Sequence, residues 1–341
     1  MSIAIRPSRA GTDNRVNSNR ANLHQGSAAV KKFLRALVIV TSLLACRPAG
    51  ALRWMQPGEA DFSKATIKVL PVRDNLSVIQ ITTPQSPFNM VVLAGPDGYL
   101  LVDHPEAAAN PAIQKTLDGL GRRPVKFLLN THWHYDHVGG NEIYGPDAVI
   151  VAQENVRTRL MTKQTPFWAR APIGPYPERA WPRVTFRDMV TIHFDGEDIE
   201  MDHYASGHTD GDAVVYFARA NVVDVGDLYW SKGNVAGFAD MEGIARSLAA
   251  VVDRINDETI VITGHTDTSN RRDLALYVQL LNETLSVMRQ EIAAGQSEKQ
   301  VADAGLPALW KAWYAPAAVP AEHEFMQAIY RALTHTNDLN Q

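Results

Sequence analysis

Four side chains able to hold a metal ion, His132, His134, Asp136 and His137, fall within six residues in the run Asn130-Thr131-His132-Trp133-His134-Tyr135-Asp136-His137-Val138-Gly139-Gly140. Neutral imidazole together with carboxylate suits zinc, and two ions about 3.5–4 Å apart can share a bridging hydroxide. The run follows an apolar stretch that reads as a strand, so alternation would put His132 and His134 on one side. The turn beyond can swing Asp136 and His137 toward a second ion, while Gly139-Gly140 lets other backbone pass close by. Two further segments supply the same residue types. Gly207-His208-Thr209-Asp210-Gly211-Asp212 lies between two strand-like runs, and Gly264-His265 directly follows the run 259–263. Asp227 likewise ends the run Val222-Val223-Asp224-Val225-Gly226. A lone histidine at a strand end is ordinarily a hydrogen-bonded scaffold residue. Here five of the eleven histidines sit in three such motifs, and that concentration reads as a metal centre.

Positioning these residues requires sheets. Short β-branched runs at 66–72, 76–82, 90–94 and 99–103 are separated by turns such as Pro96-Asp97-Gly98, and they read as antiparallel strands. Pro111 opens a helical stretch to about residue 120, and 125–130 is apolar except for Lys126, the pattern of a strand buried on both faces. The second half repeats this grammar, with strands expected at 149–152, 190–194, 197–202, 213–217, 221–226 and 259–263, and helices near 154–161 and 241–256. Two mixed halves fit an α+β fold, an αββα sandwich of two sheets with helices outside, over residues 60–270. The segment 162–183 is rich in Pro, Trp and Arg, which suits either a pocket wall or a packed surface loop. From 271 to 341 apolar residues recur at helical spacing over 274–293, 298–304, 308–313 and 321–333, a C-terminal helical appendage with a structural or oligomeric role. The sequence does not fix the oligomeric state.

In order and spacing, the His-x-His-x-Asp-His run, the Gly-His-Thr segment, Gly226-Asp227 and Gly264-His265 resemble the metallo-β-lactamase superfamily. The resemblance covers about residues 66–270. It implies a dinuclear zinc hydrolase in which His132, His134 and His208 hold the first ion, Asp136, His137 and His265 the second, and Asp227 bridges. It also implies supporting roles for Asp103, at the end of 99–103, and Asp212, beyond the Gly-His-Thr run. The flavodiiron branch of the fold carries Glu where this chain has His134. Iron stays an alternative, because single-iron sulfur dioxygenases of the fold share several of these histidines.

The chemistry so implied is hydrolysis of an ester, lactone, thioester or amide of a small molecule by a zinc-bridging hydroxide, with Asp136 or Asp227 orienting it or relaying its proton. Within the superfamily, Lys232 and Asn234 in Ser231-Lys232-Gly233-Asn234-Val235 resemble the cation and the Gly-Asn pair that grip a β-lactam. True β-lactamases usually carry Cys or Ser where Asp227 stands, whereas Asp is common in glyoxalase-like and lactonase-like members. A class B β-lactamase is therefore the alternative within the family. An iron-dependent sulfur dioxygenase or a non-catalytic metal-binding accessory protein is the alternative outside hydrolysis.

Residues 1–51 differ from the rest. They carry eight basic residues against the single acid Asp13, so the remainder bears a net −11 where the whole chain bears −4. Lys31-Lys32 precede the apolar run 33–46, and Ala49-Gly50-Ala51 offers small residues for cleavage, the form of a secretory signal. The run is shorter than the roughly 20 residues that span a bilayer, which argues against a permanent membrane span. Export, most simply to a periplasm, is the expectation, with lipidation at Cys46 as a minor alternative. Cys46 is the only cysteine, so beyond the leader neither disulfides nor thiolate ligands are available. No Lys/Arg cluster after residue 51 exceeds the pairs Arg122-Arg123 and Arg271-Arg272, which excludes the basic face a nucleic-acid binder needs.

Overall fold

The structure, a computed structural model, describes residues 55–166, 169–231, 240–308, 310 and 321–334. The leader, Lys232 and Asn234 lie outside the described residues. The first sheet runs in chain order: β1 (Thr66–Arg73), β2 (Leu76–Thr82), β3 (Pro87–Gly95), β4 (Gly98–Val102), β5 (Val125–Leu129), β6 (Val149–Gln153) and β7 (Val184–Phe186). The second contains β8 (Met189–Phe194), β9 (Glu197–Asp202), β10 (Val214–Phe217), β11 (Val222–Asp224), β12 (Ile260–Ile262) and β13 (Ser269–Asn270), again in order.

β1 to β4 pair antiparallel, as their turns predicted. β5, β6 and β7 instead join in parallel, as do β11 and β12. Parallel pairing needs crossovers, and the run 125–130 that reads as buried on both faces forms β5, an interior strand with parallel neighbours on both sides. The short β7 and β13 had no legible run in the sequence.

Strict alternation distributes side chains among three apolar layers. In β4, Leu100 and Val102 face between the sheets, where they meet Ile199, Met201, Val215, Phe217 and Ile262 of the second sheet. Tyr99 and Leu101 face the other way, onto Ile113 and Leu117 of α1 (Asn110–Leu120). In β10 the same rule sends Val215 and Phe217 inward and Val214 and Tyr216 outward. This is the αββα layering.

Helices α2 (Asn141–Tyr144) and α3 (Glu154–Met161) flank the first sheet. Over the second sheet lie α4 (Met241–Arg254), α5 (Arg271–Ala293), α6 (Glu298–Ala304) and α7 (Ala321–Thr334). Leu274, Tyr277, Leu281, Leu285 and Met288 form the buried stripe of α5 and share one cluster with Ile244 and Leu248 of α4 and with Val223 and Val261 of the sheet. The C-terminal helices thus complete the helical layer on that side. Side-chain caps define their starts: Asp240 accepts from Gly243 N, Asn270 from Asp273 N, and Ser297 forms a capping box with Gln300. Among the described residues no helix is long and apolar enough to cross a membrane.

Candidate metal centre

The ligand-rich residues gather at the ends of strands from both sheets. β5 ends at Leu129, and the loop that follows is pinned from both sides. His104 N donates to His137 O at 2.9 Å and Gly139 N to His104 O at 3.1 Å, while the Asn130 and Asn141 amides pair at 3.1 and 2.8 Å. The two glycines are needed for this approach. A Cβ at Gly139 would sit 2.3 Å from Pro105 O, and one at Gly140 2.5 Å from the His104 ring. From the second sheet, His208 follows β9, Asp227 follows β11 and His265 follows β12.

Two groups of potential ligand atoms result, each within 4.8 Å of one another: His132, His134 and His208, and Asp136, His137 and His265. His208 Nε2 stands 2.8 Å from His134 Nδ1, and His137 Nε2 stands 3.2 Å from His265 Nε2. Asp227 lies between the groups, its Oδ2 being 3.2 Å from His265 Nε2 and 3.6 Å from both His137 Nε2 and His208 Nε2. All seven sequence-nominated residues therefore meet at one place. Trp133 and Tyr135 between them point away: Trp133 packs with Val138, Ala152, Val156 and Leu160, and the Tyr135 hydroxyl donates to Met55 O.

The ring orientations are held by partners behind them. Asp103 Oδ1 accepts from Thr131 N (2.8 Å), and its Oδ2 accepts from Thr131 Oγ1 (2.6 Å) and His137 Nδ1 (2.8 Å). Because the Thr131 hydroxyl spends its proton on Asp103, its oxygen is left to accept from His132 Nδ1 at 3.0 Å. That fixes the His132 tautomer with the Nε2 lone pair facing inward. His265 is fixed likewise, Nδ1 donating to Pro87 O at 2.7 Å. Asp103 also lies within reach of His132 and His137 as a third potential ligand group. Its oxygens are already engaged by Thr131 and His137, so its part is to orient. It does so at φ +58°, a left-handed conformation that costs on the order of 1 kcal/mol and is held by these three hydrogen bonds. Asp212 secures the other segment, accepting from Thr209 N at 3.0 Å and Thr209 Oγ1 at 2.6 Å, and so shapes the turn that carries His208.

The charge states divide the centre. Burial, together with neighbouring imidazoles, holds His132 and His134 well below the usual histidine range, and burial takes His208 to about 4. Burial also opposes charge on His137 and His265, but there the carboxylates win. Asp227, Asp103 and Asp136 raise His137 well above its usual range, and Asp227 and Asp136 bring His265 to about 10. Asp136 falls to about 2 against the cost of burial, under the influence of His137 and His265, and the same pair holds Asp227 well below the usual carboxylate range.

The donor set fits a metal. Among the described residues, His132 Nε2 and Asp227 Oδ1 are buried with no hydrogen-bond partner, and such groups are rare unless something else satisfies them. Gly264 makes the approach of Asp227 feasible, since a Cβ there would fall 2.1 Å from Asp227 Oδ1. Sequence reasoning had missed Thr131 and Asp224. The first was legible as the hydroxyl beside His132. The second, an acid inside an apolar run, is a buried carboxyl that desolvation and Asp103 push up to about 7, and it accepts from Gly226 N.

A sequence model described as the metallo-beta-lactamase superfamily matches residues 86–265, more than half of the chain and the span that holds every one of these ligand-type residues. The chain belongs to the metallo-beta-lactamase superfamily. Its relatives include a hydroxyacylglutathione hydrolase of Crocosphaera subtropica, 24% identical over 221 residues, with 60% of this chain and 78% of that protein covered. A second, from Synechococcus sp. (strain JA-2-3B'a(2-13)), is 26% identical over 206 residues, covering 60% and 73%. Among solved structures, a metallo-beta-lactamase from Pontibacter korlensis superposes with a TM-score of 0.54 at 20% identity, covering 64% of this chain and 99% of that one. A double mutant of a sec-alkyl sulfatase gives 0.60 at 14% identity, covering 79% and 50%. At these identities the structural matches speak for the fold, and they agree with the αββα expectation. As a member of the superfamily with hydroxyacylglutathione hydrolase relatives, the protein is a metal-dependent hydrolase.

Proposed function

We propose that the protein is an exported dinuclear zinc hydrolase that cleaves a small acyl compound, a thioester or ester in preference to a β-lactam. The observation that carries this reading is the place of Asp227, a carboxylate whose Oδ2 lies within 3.6 Å of nitrogens from both histidine groups. In that reading His132, His134 and His208 hold one ion, Asp136, His137 and His265 hold the other, and Asp227 serves both. Two zinc ions in such a site supply Lewis acidity toward a carbonyl oxygen and lower the pKa of water toward neutrality.

The chain's own residues supply the rest. Asp136, at 12% side-chain exposure, is more accessible than Asp227, and its low pKa keeps it an acceptor at neutral pH that can orient a water or take its proton. Asp227 is deeper, at 4% exposure, and keeps its negative charge among the imidazoles. Asp103, Thr131 and Asp212 hold the rings and the His208 turn in place before substrate arrives. An aspartate at the central position and relatives named hydroxyacylglutathione hydrolases both favour an acyl thioester. Export is supported by the Lys31-Lys32 pair, the apolar run 33–46 and the small residues that follow.

The test is elemental analysis of the purified protein, coupled in the same preparation to turnover of an S-acyl glutathione, a simple lactone and a chromogenic cephalosporin. About two zinc ions per chain with thioester or lactone turnover is the expected result. Cephalosporin as the preferred substrate would replace the reading with a β-lactamase, and a single iron would replace hydrolysis altogether. Intact-mass measurement of secreted protein should show loss of residues 1–51.

A further inference from the structure

The segment 162–183, unusual in the sequence and not used by the metal centre, ends in a second site. A cleft of about 630 Å³ opens where this segment meets α3 and the edge strand β7, lined by Arg157, Glu178, Arg179, Trp181, Arg183 and Thr185. That volume lies within the range of small-molecule pockets.

Three guanidinium groups thus share one cleft on a chain of net negative charge. Arg179 is neutralised by Glu142. Arg157 and Arg183 have no carboxylate within ion-pair distance among the described residues. Arg157 is also fixed in place. Its guanidinium lies over the Trp181 ring, 5.4 Å from the centroid, and Nη1 donates to Pro182 O at 2.7 Å. Stacking and one backbone bond hold the group flat while leaving other N–H donors available. Trp181 is itself held by its indole N–H donating to Tyr176 O at 2.9 Å. Arg183 and the Thr185 hydroxyl, two residues apart on an extended backbone, project to the same side of the edge.

Guanidinium groups that share a cleft and are not ion-paired repel one another, and the cleft is stabilised by an anion that accepts several charged hydrogen bonds. The geometry points to a binding site for a tetrahedral oxyanion, with room for the organic group of a phosphate or sulfate monoester. We infer that Arg157 and Arg183 are its principal donors, Thr185 adds a hydroxyl, and Glu178, the single acid in the lining, faces the organic part. The site is distinct from the metal centre in residues and elements.

Isothermal titration of inorganic phosphate and of phenyl phosphate into the metal-loaded full-length mature protein tests this. Arg183 is exposed and its side chain makes no bond that the fold depends on, so Arg183→Ala should fold normally. It should weaken phosphate binding by about tenfold or more, the loss of one charged hydrogen-bonded pair. Arg157→Lys, which keeps the charge but not the flat stacked donor, should weaken it less. Turnover of the acyl substrate should be unchanged in Arg183→Ala. Tighter binding of phenyl phosphate than of phosphate identifies a monoester site, and equal binding identifies a free oxyanion site. Absence of phosphate binding, or binding that Arg183→Ala leaves intact and a metal chelator abolishes, would overturn the inference.

Discussion

The two halves of the metal centre use the same residue type in opposite ways. His132, His134 and His208 are surrounded by one another and by burial, which keeps them neutral and ready to donate lone pairs. His137 and His265 are surrounded by Asp103, Asp136 and Asp227, which make them hold protons when no metal is bound. The difference lies in the carboxylates, since all five rings are buried. It teaches that one half is prepared by removing water and the other by supplying negative charge, so the second must exchange protons for a metal ion and the first need not.

Removing Asp227 is the sharpest way to break this contrast. Asp227→Ala takes away the charge shared by both groups, and activity should fall by about 10²- to 10⁴-fold, with the second ion lost from elemental analysis. Full activity with two bound zinc ions would refute the central role given to this residue. Thr131→Val attacks the neutral half directly, through His132, and reaches the other half only by removing one of the three hydrogen bonds to Asp103. Without the hydroxyl, His132 can rotate or change tautomer, and zinc affinity should drop by about 10- to 100-fold in competition with a chelator. Thr131→Ser should restore it, and an equal loss in both variants would show that the methyl, not the hydroxyl, matters.

The pH dependence sharpens the same contrast with a smaller effect. In metal-free protein, His265 at about 10 and the raised His137 add stability that is fully present below the unfolded histidine value of 6.5 and is lost as pH rises toward 10. His208, at about 4, acts in the other sense, because the unfolded chain takes up its proton first as pH falls below 6.5. Thermal unfolding of chelator-treated protein should therefore be most resistant near pH 6.5, and zinc stoichiometry should rise from about one toward two as pH increases through neutrality. A stoichiometry independent of pH would mean that the halves do not differ in proton affinity. The smallest effect is expected at Lys232. Lys232→Ala should raise KM a few-fold for an anionic acyl substrate and leave kcat unchanged, the signature of binding shared by ground and transition states.

Much of this was legible in the chain. Among the described residues, periodicity located eleven of thirteen strands, because alternating β-branched runs such as Leu76-Ser77-Val78-Ile79 leave little choice of state. β7 and β13 escaped because two or three residues carry no period, and they exist only because a neighbouring strand offers them hydrogen bonds. The roles of Thr131 and Asp224 escaped for a similar reason, since a hydroxyl or carboxyl gains its function from the atom about 3 Å away.

The sequence by itself determined which donors are available, and it put four of them within six residues at the end of one strand, where local chain geometry keeps them together whatever the rest does. Only the tertiary structure decided that His208, Asp227 and His265 would join them. Those residues stand some 70 to 130 positions away and are brought in by the packing of two sheets. Tertiary structure alone also decided which imidazoles hold protons. Proton affinity depends on water removed and charges approached, and both are properties of the folded surroundings.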